Sequence, residues 1–290
     1  MSARPVLALT MGDPAGIGPE ITVRALLSPE VRQIASCFAI GDARVLERAL
    51  AVCGLNATLN RIAGPEAMAA RDGSIDVLHQ DSADPAVLQL GKVQALGGES
   101  AYAAIRESIA LAMAGRVAGV VTAPINKESL QAAKIPFIGH TEMFAEHTGA
   151  REEMTMFTIS GLKIFFLTRH VSLLEACRQI TRERVAKGIG KAMKALHQLG
   201  YDRPHLAVAA LNPHGGEDGL FGREEIEAIK PAIVAARAQG MQVSGPVPAD
   251  SVFHMARIGR YDAVLSLYHA QGHIAAKMMD LEKTVSVTLG

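Results

Sequence analysis

The chain contains no tryptophan and only three cysteines, and aromatic residues make up 4% of its 290 positions. Cys37, Cys53 and Cys177 are an odd, widely spaced set, each in an apolar run. That argues against a disulfide framework and for reduced core residues. There is no excess of charge either: 29 Lys and Arg face 29 Asp and Glu. No whole-chain field therefore draws the protein to nucleic acid or to an acidic membrane. No apolar run approaches the roughly 20 residues that span a bilayer. The opening Met1-Ser-Ala-Arg-Pro5 passes straight into an apolar strand, with no room for the charged and apolar regions of a secretory signal. These absences predict a cytoplasmic protein whose partner is a small molecule.

What is present is an alternation of short apolar runs, rich in β-branched residues, with longer segments of helical period. That is the signature of parallel strands joined by helices, so the expected fold class is α/β. Val6–Thr10, 38–40 and 118–122 read as strands, and 20–27, Ala43–Val52 and 100–114 as helices. Met154–Ile159 and 162–168 read as a hairpin closed at Ser160-Gly161. Beyond it, 182–199 and 223–239 read as helices, 206–211 and 263–267 as strands. The antiparallel piece interrupting the βαβ rhythm predicts two lobes. Residues 1–125 with 262–290 are assigned to the first and 126–261 to the second.

Three of the apolar runs end in histidine: Phe166-Leu-Thr-Arg-His170, Leu211-Asn-Pro-His214 and Leu265-Ser-Leu-Tyr-His269. One such residue is more often solvated than functional. Three at strand ends point to a shared divalent metal, because neutral imidazole is a good ligand for zinc and its neighbours. His269 and His273 are also four apart, a spacing that suits one helical turn, although Gly272 between them weakens that reading. Gly139-His140-Thr141-Glu142 reads either as a helix start capped by Thr141 or as an anion site built from His140, Thr141 and free amides. Gly12-Asp-Pro-Ala-Gly-Ile-Gly18-Pro-Glu20 lacks both the third glycine of a dinucleotide fingerprint and the Gly-Lys-Ser/Thr of a P-loop. It reads either as a structural strand-to-helix turn or as an anion site built from its backbone amides and the helix dipole, with Asp13 and Glu20 available for polar work.

Taken in order, these segments, with Leu211-Asn-Pro-His-Gly-Gly-Glu217, Pro248-Ala-Asp250 and Tyr268-His-Ala-Gln-Gly272, resemble the 4-hydroxythreonine-4-phosphate dehydrogenase family. Thr122-Ala-Pro-Ile-Asn-Lys127 and Gln271-Gly-His273 resemble its 4-phospho-D-threonate and 4-phospho-D-erythronate subgroup. The resemblance implies two α/β/α lobes around a cleft, similar to isocitrate and isopropylmalate dehydrogenases, and a homodimer with a shared active site. It implies that His170, His214 and His269 bind a divalent metal (zinc, magnesium or cobalt), the imidazoles favouring the softer ions. It further implies that His140, Thr141, Lys277 and Ser286 contact a small phosphorylated substrate, that Asp250 and Lys277 serve catalysis, and that NAD accepts a hydride. The cofactor-binding residues are left unassigned.

The chain departs from that family at three places. Ala270 stands where an Asp usually follows the third metal histidine, and Ser286 stands where a substrate-binding Asn is usual. Relatives also continue beyond Thr288-Leu-Gly290 with a substrate-binding Arg and a cofactor loop, so the chain is expected to be a shortened one. These departures leave an alternative, a catalytically impaired metal- and anion-binding homologue.

Overall fold

The computed structural model describes residues 4–150 and 154–289. The chain divides into two compact units, Met1–Ala150 and Arg151–Gly290. The first contains β1 (Val6–Thr10), α1 (Gly18–Leu27), α2 (Pro29–Ile34), β2 (Ser36–Gly41), α3 (Ala43–Val52), β3 (Thr58–Ile62), β4 (Ser74–His79), α4 (Ala95–Met113), β5 (Gly119–Thr122), α5 (Lys127–Ala132) and α6 (His140–Thr148). Its five strands are ordered β3-β4-β2-β1-β5, and every pairing is parallel. The second contains β6 (Met154–Ile159), β7 (Leu162–Phe166), α7 (Leu173–Arg178), α8 (Arg182–Gln198), β8 (His205–Ala209), α9 (Lys230–Ala238), β9 (Gln242–Val247), α10 (Ala249–Arg257), β10 (Ala263–Ser266), α11 (His269–Met279) and β11 (Val285–Leu289). Its order is β11-β6-β7-β10-β8-β9. The α/β class is as expected.

The expected lobe boundaries are not. Residues 262–290 belong to the second unit, because β10 pairs in parallel with both β7 and β8 and β11 pairs antiparallel with β6. Residues 126–150 belong to the first, where Leu130 and Met143 are buried against Ile105 and Ile109 of α4. The hairpin is present: β6 and β7 pair antiparallel, and Ser160 and Gly161 both take positive φ, 45° and 88°, as a two-residue turn requires. The glycine-rich stretch before α1 is a structural turn. Gly12 has φ +75° and passes so close to Pro124 that a Cβ would lie 2.3 Å from its carbonyl oxygen. There the Asp13 N–H donates to that oxygen at 3.0 Å, and Asp13 Oδ1 accepts from the Ala15 N–H at 2.8 Å.

The second core lies on both faces of its sheet. Val185, Ile189, Leu196 and Ile229 bury against Phe165, Val208 and Leu265 on one side. Ile164, Phe166 and Val264 meet Val252 and Ala276 on the other. Gly272 lets α11 approach β7: a Cβ there would sit 2.6 Å from Phe166 Cε1 and 2.8 Å from Ile164 Cγ2. Alanine normally favours a helix, but here overpacking dominates. Gly272→Ala is expected to cost about 1–3 kcal/mol, read as a lower thermal midpoint; an unchanged or higher midpoint would show that α11 is free to move off the sheet.

Candidate active site

Four parallel strands of the second sheet, β7, β10, β8 and β9, deliver their C-terminal ends to one edge. Open α/β sheets bind ligands at that edge, since the loops there are free to carry polar side chains. His170 follows β7, His269 opens α11 after β10, His214 lies beyond β8, and Asp250 is exposed in the first turn of α10 after β9. Three of these residues are the histidines that close apolar runs, and Asp250 joins them at the edge beyond β9.

His170 and His269 are neighbours, their ring centroids 6.0 Å apart. Burial, and then the nearby His170 and Lys277 charges, push the His269 pKa down, which favours the neutral imidazole that a metal requires. His273 has another role. Its ring stacks on His269 at 3.6 Å and 8°, meets Phe157 at 4.3 Å and Phe166 at 4.4 Å, and its Nδ1–H donates to the His269 carbonyl at 2.8 Å. It backs His269 from the apolar side, and Gly272 serves helix-to-sheet packing. Lys277 follows one turn further on the same face of α11, exposed.

His214 stands apart from this pair. It lies in a left-handed loop, its side chain is 65% exposed, and its Nδ1–H donates to Glu217 Oε1 at 2.7 Å. Among the described residues of one chain, no group of three His, Cys, Asp or Glu is arranged to hold a metal ion. The donor set of one chain thus offers an ion two adjacent imidazoles, with the third facing outward.

Beside His170 opens a cavity of about 530 Å³. Its wall includes Thr155, Arg169, His170, Arg184, Lys187 and Lys191. Arg169 donates to Thr155 Oγ1, which fixes the guanidinium. Arg184, Lys187 and Lys191 come from one face of α8, three and four residues apart. Arg184, in the first turn, runs against the helix dipole, and with Arg169 and Lys191 it gives the cavity wall a cationic character. Sequence reading missed these residues, whose spacing along 182–199 was the available signal.

In the first unit, α6 begins at His140 with Gly139 as its N-cap, and no side chain caps it. Thr141 is exposed at the second helical position and does not cap. The His140 Nε2 is buried without a hydrogen-bond partner among the described residues, and burial lowers the pKa of the ring. An orphaned ring nitrogen of this kind is what a ligand would satisfy. Ser286 is exposed on β11, paired with Phe157 of β6. No helix among the described residues is long and apolar enough to cross a membrane.

Known proteins are similar to this chain in sequence and fold. The family model described as pyridoxal phosphate biosynthetic protein PdxA matches residues 33–290. A Symbiobacterium thermophilum protein named "Putative D-threonate 4-phosphate dehydrogenase" is 55% identical over 290 residues, which are 100% of this chain and 87% of that protein. The crystal structure of 4-hydroxythreonine-4-phosphate dehydrogenase from Klebsiella pneumoniae is similar with a TM-score of 0.89 and 40% identity, over 99% of this chain and 87% of that one. A terephthalate 1,2-cis-dihydrodiol dehydrogenase from Burkholderia xenovorans is more distant, with a TM-score of 0.68 and 28% identity over 99% of this chain and 87% of that one. Fold and relatives together define an α/β dehydrogenase, an oxidoreductase. The chain belongs to the PdxA family.

Proposed function

We propose that this dehydrogenase oxidises a phosphorylated 3-hydroxy acid with NAD and a divalent metal, and that the resulting β-keto acid loses carbon dioxide. The names of its relatives supply the two substrates that fit, D-threonate 4-phosphate and 4-hydroxythreonine 4-phosphate. The observation that supports a phosphorylated acid is the cationic cavity that opens at His170. Arg169, Arg184 and Lys191 give a doubly charged phosphate the forked and point-charge donors it pairs with. Lys277, along α11 from His269, offers a further contact to the substrate's polar groups. His170 and His269 hold the metal with His214 of a second copy, so that two copies share each site.

A divalent metal held by His170 and His269 would supply Lewis acidity toward the substrate hydroxyl, and NAD would supply a hydride acceptor. The protein's own part is to keep His269 neutral, to bind the phosphate away from the reacting carbon, and to hold the hydroxyl beside the His170–His269 pair. Asp250, exposed in the first turn of α10 at the same sheet edge, is available to take the hydroxyl proton.

The test is NADH formation, followed by absorbance, with each candidate substrate. Turnover with at least one, stopped by a chelator and restored by metal, is expected. Lys191→Ala is expected to raise KM about tenfold with less change in kcat, the loss of one charged hydrogen bond. No turnover with any candidate, by protein carrying bound metal, would favour the impaired homologue that Ala270 and Ser286 suggest.

A further inference from the structure

Glu225 has a role that no motif marks. It is a charged residue only 1% exposed, and it stands at the start of a short π-helical turn, Glu225–Ile229, ahead of α9. Such turns interrupt α-helical regularity and recur at functional sites. Its Oε1 accepts from the backbone N–H groups of Leu211 and Asn212, both at 2.8 Å. Its Oε2 accepts from Asn212 Nδ2 at 2.8 Å. On the far side of the same loop, Gly216 packs on this carboxylate, where a Cβ would fall 2.9 Å from Oε2.

Between these two contacts lies His214. From His214 to Asp218 five consecutive residues have positive φ, at 53°, 72°, 82°, 40° and 52°. Three of them, His214, Glu217 and Asp218, are not glycine, and L-residues enter this region at a cost. A run of that kind persists only where its surroundings over-determine it. Backbone hydrogen bonds at the loop's ends run from Gly215 N–H to Asn212 O, from Leu220 N–H to Glu217 O and Gly216 O, and from Phe221 N–H to Gly216 O. The buried carboxylate ties the loop's entry, at 211–212, to its middle, at Gly216.

We propose that Glu225 is a positioning residue, which holds the left-handed loop so that His214 is presented outward in the one orientation that completes a metal site. The proposal rests on reading His214 as a metal ligand. Groups that orient a ligand without touching the metal typically change metal affinity 10- to 100-fold when replaced.

The experiment uses the full chain, with cobalt(II) alone as probe, read by titration and by the visible absorption of the bound ion. Glu225→Gln keeps the shape and an acceptor for the two backbone amides, but turns an amide towards the Asn212 amide. Its cobalt affinity is expected to fall about tenfold or more, with a changed absorption band, and the Gly215 and Gly216 amides are expected to exchange hydrogen faster. Ile233→Val, a core variant in α9, serves as a control for lost stability and is expected to leave affinity and band unchanged. Wild-type affinity and band in Glu225→Gln would overturn the proposal, as would an equal change in Ile233→Val. His214→Ala separates the two readings. If it binds cobalt as wild type does, the ligand assignment fails, and unchanged exchange at Gly215 and Gly216 in Glu225→Gln would then also refute the hold on the loop.

Discussion

If two copies share each metal site as proposed, a dimer assembled from one His214→Ala chain and one His269→Ala chain is expected to keep about half the wild-type activity, and each variant alone is expected to be inactive. The expectation follows from which histidines one chain brings together. His170 and His269 are 6.0 Å apart in the same chain, whereas His214 projects from its own loop with its side chain 65% exposed. If the pair comes from one copy and His214 from the other, a mixed dimer holds one site with both lesions and one with none. The intact site uses His170 and His269 of the His214→Ala chain and His214 of the His269→Ala chain. Co-expression with two affinity tags isolates this species. The matched control combines His170→Ala with His269→Ala: both lesions then fall in the same-chain pair, each site loses one ligand, and no activity is expected. Activity in the control, or none in the first mixture, would mean that the three ligands are divided differently between copies.

The histidines could be read from the sequence because a buried parallel strand is a continuous apolar run and a polar residue directly after it lies at the sheet edge. The hairpin was legible for the same local reason, with Ser160-Gly161 between two apolar runs. Which unit a strand joins was not. β10 pairs with β7 and β8, far earlier in the chain, and nothing near residues 263–266 announces those partners. Glu225 was illegible for another reason. In Arg223-Glu-Glu-Ile-Glu227 it reads as one of several solvated helix charges, and only tertiary structure turns it inward while Arg223 and Glu227 pair on the surface. α4 begins at Ala95, five residues before the expected start, because Gly97 and Gly98 lower helix propensity and yet pack closely in the fold, both buried. Thr141 was a reasonable cap by residue type, but the helix starts two residues sooner, with Gly139 in the capping place.

Asp42→Ala is expected to destabilise the first unit by about 3–5 kcal/mol, a larger loss than most substitutions produce. Asp42 is fully buried and does three things at once. Its Oδ1 caps α3 by accepting from the Arg44 N–H at 3.0 Å. Its Oδ2 accepts from the Ser82 and Ala83 N–H groups at 3.2 and 3.1 Å, fixing the chain beyond β4. The Arg44 guanidinium pairs with it at 2.7 Å and is itself paired with Asp81, while His79 Nδ1 lies 4.0 Å away. Alanine removes the cap, worth about 1 kcal/mol, and leaves two backbone donors unpaired, at about 1–3 kcal/mol each. Acid provides a second measurement. Burial by itself would raise the Asp42 pKa, but the hydrogen bonds from Arg44 and from the Ala83 and Arg44 amides outweigh it and hold the value below the ordinary 3.8. A carboxylate whose folded pKa is depressed stabilises above its unfolded pKa and loses that contribution as pH falls through the folded value. Urea unfolding should therefore show a constant gap between wild type and Asp42→Ala from about pH 5 to 8, narrowing below about pH 4. A gap under about 1 kcal/mol at neutral pH, or one that does not narrow in acid, would show that the buried carboxylate is not what joins α3 to the chain beyond β4.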